Sequence, residues 1–252
     1  MIIFLQARSN SSRFPNKIKQ EVLGLPMIVF QIRRILQIKG FDRFCVLTSQ
    51  EGSDNELCDI LNQFNVEYFR ADLEDVNLRF RKALYAFGSN SGYFIRLTAD
   101  CPLICPELIE VGIQETLSSS YDYFSNTVVR SFPDGLDFEI VSVESFLELA
   151  NKKLDSFDRE HVTPFIYRNA PEYKIGQLVS KVDLSKLRLT VDYPEDLELI
   201  REIVESDSFN PVNKSYSHLL ELYFQVNKHF ESDSKTSAFR YDVQRIGVVD
   251  EN

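Results

Sequence analysis

No stretch of the 252-residue chain approaches the roughly 20 apolar residues that a membrane-spanning helix requires, so no membrane partner is expected. The opening apolar run, Ile2-Ile3-Phe4-Leu5, is followed by Arg and Ser rather than preceded by a basic stretch, which is not the form of a secretory leader; a cytoplasmic location is expected. Cations are also scarce: 28 Lys and Arg against 38 Asp and Glu leave a formal charge of −10. A sequence-independent nucleic-acid binder needs many cations on one face, so nucleic acid is excluded as a partner, while a small phosphate or an acidic metal complex stays compatible. The four cysteines are scattered, and Cys101 and Cys105 have no second pair to complete a zinc site, so they read as reduced thiols. The glycine spacing of a dinucleotide fingerprint or a Walker loop is missing, as is a Ser/His/Asp or Cys/His set suited to covalent catalysis. Neither a fixed-period repeat nor a long linker is present.

At 44% hydrophobic and 26% charged, the chain has ample material for one large α/β domain or two small ones. Short β-rich runs alternate with amphipathic stretches. Ile2–Gln6, Arg43–Thr48, Val66–Phe69 and Tyr93–Leu97 read as strands, with helical patterns at Pro26–Ile38 and Asp54–Phe64. This order implies right-handed βαβ units and a mainly parallel sheet, with functional loops at the carboxyl ends of the strands. After Ser118 the rhythm breaks: a strand at Tyr121–Ser125, the turn Phe132-Pro133-Asp134-Gly135 and an alternating strand to Ile140 come first. Helices at Val143–Leu154 and Arg159–Arg168 follow, then strands at Lys174–Val179 and Arg188–Val191 and a helix from Pro194 to about Val204. We expect a main domain at 1–206 with an insert at about 126–180, a C-terminal helix within 207–230, placed at about Ser217–His229, and a flexible polar tail at 231–252.

The loop after the first strand is the one dense cationic and hydroxyl-bearing segment of an acidic chain. It runs Gln6-Ala7-Arg8-Ser9-Asn10-Ser11-Ser12-Arg13-Phe14-Pro15-Asn16-Lys17, with no acidic residue before Glu21. Such a loop suits a polyphosphate; the alternative is a surface turn whose serines cap the next helix. Two further strands end in aspartate beside proline, at Asp100-Cys101-Pro102 and Asp192-Tyr193-Pro194. Delivered to one sheet edge by separate strands, their carboxylates can share a divalent cation that bridges triphosphate oxygens; each alone is a helix cap or a ligand.

With these segments, Phe132-Pro133-Asp134-Gly135-Leu136-Asp137 and Arg159-Glu160-His161-Val162-Thr163, the chain resembles the cytidylyltransferase family. The resemblance spans residues 2 to about 200, on the branch typified by spore coat polysaccharide biosynthesis protein F, with the synthetases of CMP-Kdo and CMP-sialic acid as more distant relatives. It implies a nucleotide-diphosphosugar transferase-like three-layer α/β/α sandwich and a cytoplasmic homodimer. It also implies a CTP-dependent reaction in which an acidic sugar or sugar phosphate is activated for cell-surface polysaccharide synthesis and pyrophosphate is released. Gln6, Ala7, Arg8, Ser11, Arg13, Lys17 and Arg96 would contact the nucleotide, with Arg8, Lys17 and Asp100 catalytic and Asp100 and Asp192 holding Mg²⁺. The family's loop glycines are missing here, and Asn10 and Asn16 stand as residues that tolerate left-handed backbone.

The inserted segment would build the acceptor pocket and part of a dimer interface, where Phe138, Ile140, Phe157, Phe165 and Ile166 offer apolar surface. Arg159 and His161 suit an anionic acceptor, although His161 also reads as a helix-cap or core histidine. Asp137 and Glu139 either bind acceptor hydroxyls or are polar positions on an alternating strand. Arg79 and Arg96 either reach the triphosphate or are an ordinary helix-surface and strand-end arginine. The rival readings are a glycosyltransferase or a nucleotidyltransferase of other base choice on the same fold, and a non-catalytic nucleotide-binding subunit.

Overall fold

Strand β1 (Ile2–Gln6) sends its apolar side chains alternately into two cores, Ile3 and Leu5 into one and Ile2 and Phe4 into the other. Burial on both faces is the condition of a central parallel strand. The computed structural model describes residues 1–10, 13–89, 92–206, 209–210, 215–227 and the backbone of 241–246. After β1 come a small antiparallel ribbon of β2 (Glu21–Val22) and β3 (Leu25–Pro26), helix α1 (Met27–Ile35), β4 (Arg43–Ser49), α2 (Asn55–Gln63), β5 (Tyr68–Ala71), α3 (Val76–Ala86), β6 (Tyr93–Thr98) and α4 (Pro106–Ser119). The chain continues through β7 (Tyr123–Ser125), β8 (Glu139–Ser142), α5 (Val143–Glu148), α6 (Ser156–His161), α7 (Pro164–Arg168), β9 (Ile175–Ser180), α8 (Pro194–Glu205), α9 (Tyr216–Val226) and β10 (Tyr241–Ile246).

Among the described residues the main sheet has eight strands in the order β10-β9-β7-β8-β6-β1-β4-β5. β1, β4, β5 and β6 are mutually parallel, and β8 runs against both β6 and β7. Residues of α1, α2, α4, α8 and α9 share one core and those of α3, α5 and α7 the other, giving the three layers expected. The chain moves from β1 out to β4 and β5, then returns to place β6 on the other side of β1. The carboxyl ends of β1 and β6 therefore flank the point where strand order reverses, which is where open α/β sheets leave a ligand crevice.

Several elements differ from the sequence reading. Arg188–Val191 is not a sheet strand: Arg188 makes a single parallel bridge to Asp134. Asp192 therefore reaches the site from a loop, not a strand end. The helix expected over Arg159–Arg168 is two helices broken at Val162, and the one expected to Leu154 leaves α-geometry after Glu148. The strand placed at Val66–Phe69 lies two residues later. Within the expected tail, 241–246 forms β10 and pairs antiparallel with β9 from Tyr241–Ser180 to Ile246–Ile175. A polar composition hid the pairing because an edge strand gains its ladder from a neighbour already in place; the rest of 231–252 is outside the described residues. Phe138, Ile140 and Ile166, expected to offer apolar surface to a partner, are at most 1% exposed and pack into the cores. All four cysteines are free and buried.

Candidate active site

The loop after β1 is shaped by a carboxylate that the sequence reading passed over. Asp54 is buried and accepts from Ser9 N at 2.7 Å, Thr48 Oγ1 at 2.9 Å, Ser49 N at 3.1 Å and the Ser49 hydroxyl. Burial alone would raise this carboxyl, but the Ser49 hydroxyl, the Ser9 N–H and the other donors outweigh it and hold it below the usual carboxylate range. The start of the loop is thereby tied to the end of β4. Its only signal in sequence was an aspartate at the start of a helical pattern. Farther along, Asn16 takes the left-handed conformation (φ 60°, ψ 19°), which an asparagine side chain tolerates better than most. The short 3-10 turn that follows directs Lys17 inward.

Lys17 Nζ donates to the Val191 carbonyl at 2.6 Å and lies 3.4 Å from both Asp100 Oδ2 and Asp192 Oδ1. Arg13 Nη2 reaches the same Asp192 oxygen at 2.8 Å, and Arg188 approaches Asp192 Oδ2 at 3.4 Å. Burial pushes the Asp100 carboxyl up, but the Lys17 ammonium and the Thr98 hydroxyl overcome it and keep it lowered. The 187–192 loop is held by backbone pairing: Val191 N donates to Asp100 O at 2.8 Å, Asp134 N to Leu187 O at 2.9 Å and Leu189 N to Asp134 O at 2.6 Å. Gly135 (φ +105°) lies so close that a Cβ there would sit 2.4 Å from Leu189 C and Thr190 N. The Pro-Asp-Gly turn thus braces the segment carrying Asp192.

Above this group opens a cavity of about 770 Å³. Gln6, Ala7, Arg8, Arg13, Lys17, Arg96, Asp100, Arg159, His161 and Asp192 all line it, so most of the expected site residues meet in one place. Ser11 lies outside the described residues. Asp137 and Glu139 instead line an adjoining cavity of about 210 Å³, with Arg130, Thr127 and Tyr167; Arg96, Thr98 and His161 border both. Arg79 also lines the larger cavity, but it is fully buried rather than a helix-surface residue, and it donates to the carbonyls of Asp72 and Leu73 at 2.8 and 2.9 Å. Burial lowers its guanidinium from the ordinary value. Arg96 is held by Gln6 Oε1 at 3.0 and 3.2 Å and by Glu139.

The crevice thus carries arginines and acidic residues together, with two carboxylates facing the one Lys17 ammonium. The model describing cytidylyltransferases matches residues 2–232, nearly the whole chain. The chain belongs to the cytidylyltransferase family. It is 28% identical over 229 residues to the spore coat polysaccharide biosynthesis protein SpsF of Bacillus subtilis, covering 88% of this chain and 93% of that one. A solved cytidylyltransferase from Leptospira borgpetersenii superposes with a TM-score of 0.83 at 26% identity, covering 94% of this chain and 99% of the other. The fold is also that of a CMP:2-keto-3-deoxy-manno-octonic acid synthetase solved with CTP, at a TM-score of 0.60 and 17% identity over 79% of this chain and 96% of that one. As a cytidylyltransferase, the protein is a nucleotidyltransferase enzyme, and the crevice at the sheet's switch point is its candidate active site. No helix among the described residues is long and apolar enough to cross a membrane.

Proposed function

We propose that this cytidylyltransferase activates an acidic sugar or sugar phosphate with CTP for cell-surface polysaccharide synthesis. An acceptor oxygen attacks the α-phosphorus in line, the bond from that phosphorus to the bridging oxygen breaks, and pyrophosphate leaves with the electron pair. The observation that carries the reading is the meeting of Lys17, Asp100 and Asp192 on the floor of the larger cavity, within reach of Arg8 and Arg13. Arg8, Arg13 and Lys17 neutralise charge that builds on the departing pyrophosphate, which is transition-state stabilisation by preorganised cations. Neither a nucleophilic side chain nor a covalent enzyme intermediate is required.

Asp100 and Asp192 fit a magnesium ion: they supply hard oxygens, Asp100 is kept ionised, and both face the point where the Lys17 ammonium now lies. Magnesium characteristically takes one or two carboxylates and completes its shell with phosphate oxygens and water. When bound it would offset phosphate charge. The chain's own part is to hold the two carboxylates in register and to keep the loop cations turned inward.

The smaller cavity is the acceptor site in this reading. Asp137 is paired there with Arg130 at 2.9 Å, and Thr98, Thr127, Tyr167 and Phe157 also line the cavity. Arg159 and His161 border the larger cavity from the α6 side, where the Arg159 guanidinium supplies positive charge toward an anionic acceptor and the His161 ring offers a hydrogen bond. Glu139 is not free to bind acceptor, because its oxygens are engaged by Arg96, Tyr123 and Thr163. A homodimer is part of the proposal, with the exposed Phe157, which lines the smaller cavity, and the exposed Val129 as its contact; light scattering that returns 29.2 kDa at micromolar concentration would overturn that part.

The deciding assay measures pyrophosphate release from each of the four ribonucleoside triphosphates with a 2-keto-3-deoxy sugar acid, a uronic acid and a hexose 1-phosphate. Release with CTP and one acidic acceptor is the expected result. Release with another triphosphate alone would reassign the base, and release from CTP that is equally fast with no acceptor added would be hydrolysis by water and would overturn the acceptor reading.

A further inference from the structure

Between α6 and α7 the backbone takes a form that valine ordinarily avoids. Val162 has φ 77° and ψ −55°, and Thr163 N donates back to His161 O at 2.9 Å. Those angles and that bond define a γ-turn with positive φ, a rare and strained turn, and a β-branched residue makes it costlier still. Such strain persists only where the surroundings over-determine it, and it gathers at functional sites.

Two buried side chains over-determine it here. Asn77 Nδ2, on α3, donates to Val162 O at 2.9 Å, and its Oδ1 is itself held by Arg81 Nε at 2.9 Å. From the other side, Thr163 Oγ1 donates to Glu139 Oε1, which also accepts from Tyr123 OH at 2.7 Å. The second Glu139 oxygen receives Arg96, whose other donors hold Gln6 at the end of β1. The Val162 side chain is fully buried in the core that includes Phe80 and Phe146. His161 is the outward product of this arrangement. Its ring leans on Phe157, centroids 4.3 Å apart, and it borders both cavities.

We propose that Glu139 and Asn77 are positioning residues that pin the strained His161-Val162-Thr163 turn from two sides, and so fix the His161 imidazole at the junction of the two cavities, where it contacts the acceptor. A simple helix continuing from α6 into α7 would carry His161 along its axis; the turn reverses the chain and leaves the ring at the crevice. The contact with acceptor rests on the reading of the smaller cavity given above, whereas the pinning of the ring does not.

The full-length protein with ¹³C-labelled histidine has three imidazoles, two of them on or beyond α9, so His161 can be followed by itself. Thr163→Val removes the hydroxyl that reaches Glu139 and keeps the shape; Thr163→Ser restores the hydroxyl. The expected result is a His161 resonance that shifts or broadens in Thr163→Val while His218 and His229 stay in place, with recovery in Thr163→Ser. If Thr163→Val does not fold, Asn77→Ser makes the same comparison from the other side of the turn. An unchanged His161 resonance in the folded variants overturns the proposal.

In kinetics with the acceptor that supports pyrophosphate release, Thr163→Val should raise the acceptor KM by about 10-fold and leave the CTP KM nearly unchanged. Added to His161→Ala it should cost little more, because both act through one ring. Equal changes in both KM values, or full additivity, would overturn the acceptor contact. If no triphosphate and acceptor pair releases pyrophosphate, the functional reading fails, and the resonance comparison still decides the pinned turn.

Discussion

Lys17 and Asp192 are 175 residues apart in the chain and 3.4 Å apart in the fold, ammonium nitrogen to Oδ1. Asp100 lies at the same distance from that nitrogen. One lysine thus counters two carboxylates that would otherwise repel across the floor of the crevice, and its third partner is a main-chain carbonyl of the loop that carries Asp192. In the free protein Lys17 holds the two halves of the site together; in the proposed reaction it is also the cation that triphosphate meets.

Lys17→Met should therefore weaken CTP binding by about 1.5–3 kcal/mol, the usual range for a charged hydrogen-bond partner. Isothermal titration calorimetry on the folded variant checks this, and an unchanged affinity would remove Lys17 from the nucleotide site.

Asp100→Asn and Asp192→Asn should each reduce turnover by roughly 10²-fold, and the double variant should lose little beyond either single one, because groups that serve one ion are not additive. If the two aspartates acted only as independent caps, each change would instead cost about 1 kcal/mol of stability with activity retained. Steady-state kinetics alongside melting curves separates these outcomes.

Gly135→Ala places a methyl 2.4 Å from the backbone of Leu189 and Thr190, at a φ that L-residues disfavour. We expect a loss of about 2 kcal/mol or more, with the 187–192 loop displaced. Because that loop carries Asp192, turnover should fall further than the stability loss accounts for. Urea unfolding paired with activity at saturating CTP is the check; a variant with reduced stability and normal turnover would uncouple the turn from the site.

Asp137 gives the pH dependence. Burial, with Asp134 and Glu139 nearby, pushes its carboxyl up to about 6 against the opposing pull of Arg130. A carboxyl raised on folding favours the native state while protonated, so its contribution is complete below about pH 4, the unfolded value, and is lost as pH rises through about 6. Two pH units correspond to about 3 kcal/mol. Urea midpoints of the wild type and Asp137→Asn, measured from pH 4 to 7, should therefore diverge, the wild type losing ground as pH rises. Parallel profiles would show that Asp137 does not titrate in this range.

The layered sheet was legible because its strands are short, apolar and separated by helices, and β1 in particular reads as a strand from Ile2 through Leu5 in any context. The cationic loop after β1 was equally plain, since Arg8, Arg13 and Lys17 stand together in an acidic chain. What failed in sequence were the places where non-local contact overrides local preference. Arg188–Val191 has the composition of a strand, yet its backbone pairs with the turn at Asp134 and with Asp100 rather than with a strand of the main sheet. The α6–α7 break had a local signal in Pro164, which opens α7 and cannot continue a preceding helix; what the sequence did not show is the positive-φ turn at Val162, which Asn77 and Glu139 hold from distant elements.

The order of apolar and polar residues by itself determined the class of fold, the position of the cationic loop and the two aspartates beside prolines, because periodicity and turn chemistry are local. Tertiary structure alone decided that Lys17 would lie between those aspartates, that Glu139 would be engaged by Arg96, Tyr123 and Thr163, and that Asp54 would tether the loop. Each of these depends on which strands lie side by side, and strand order is set by packing across the whole sheet, which no short segment encodes.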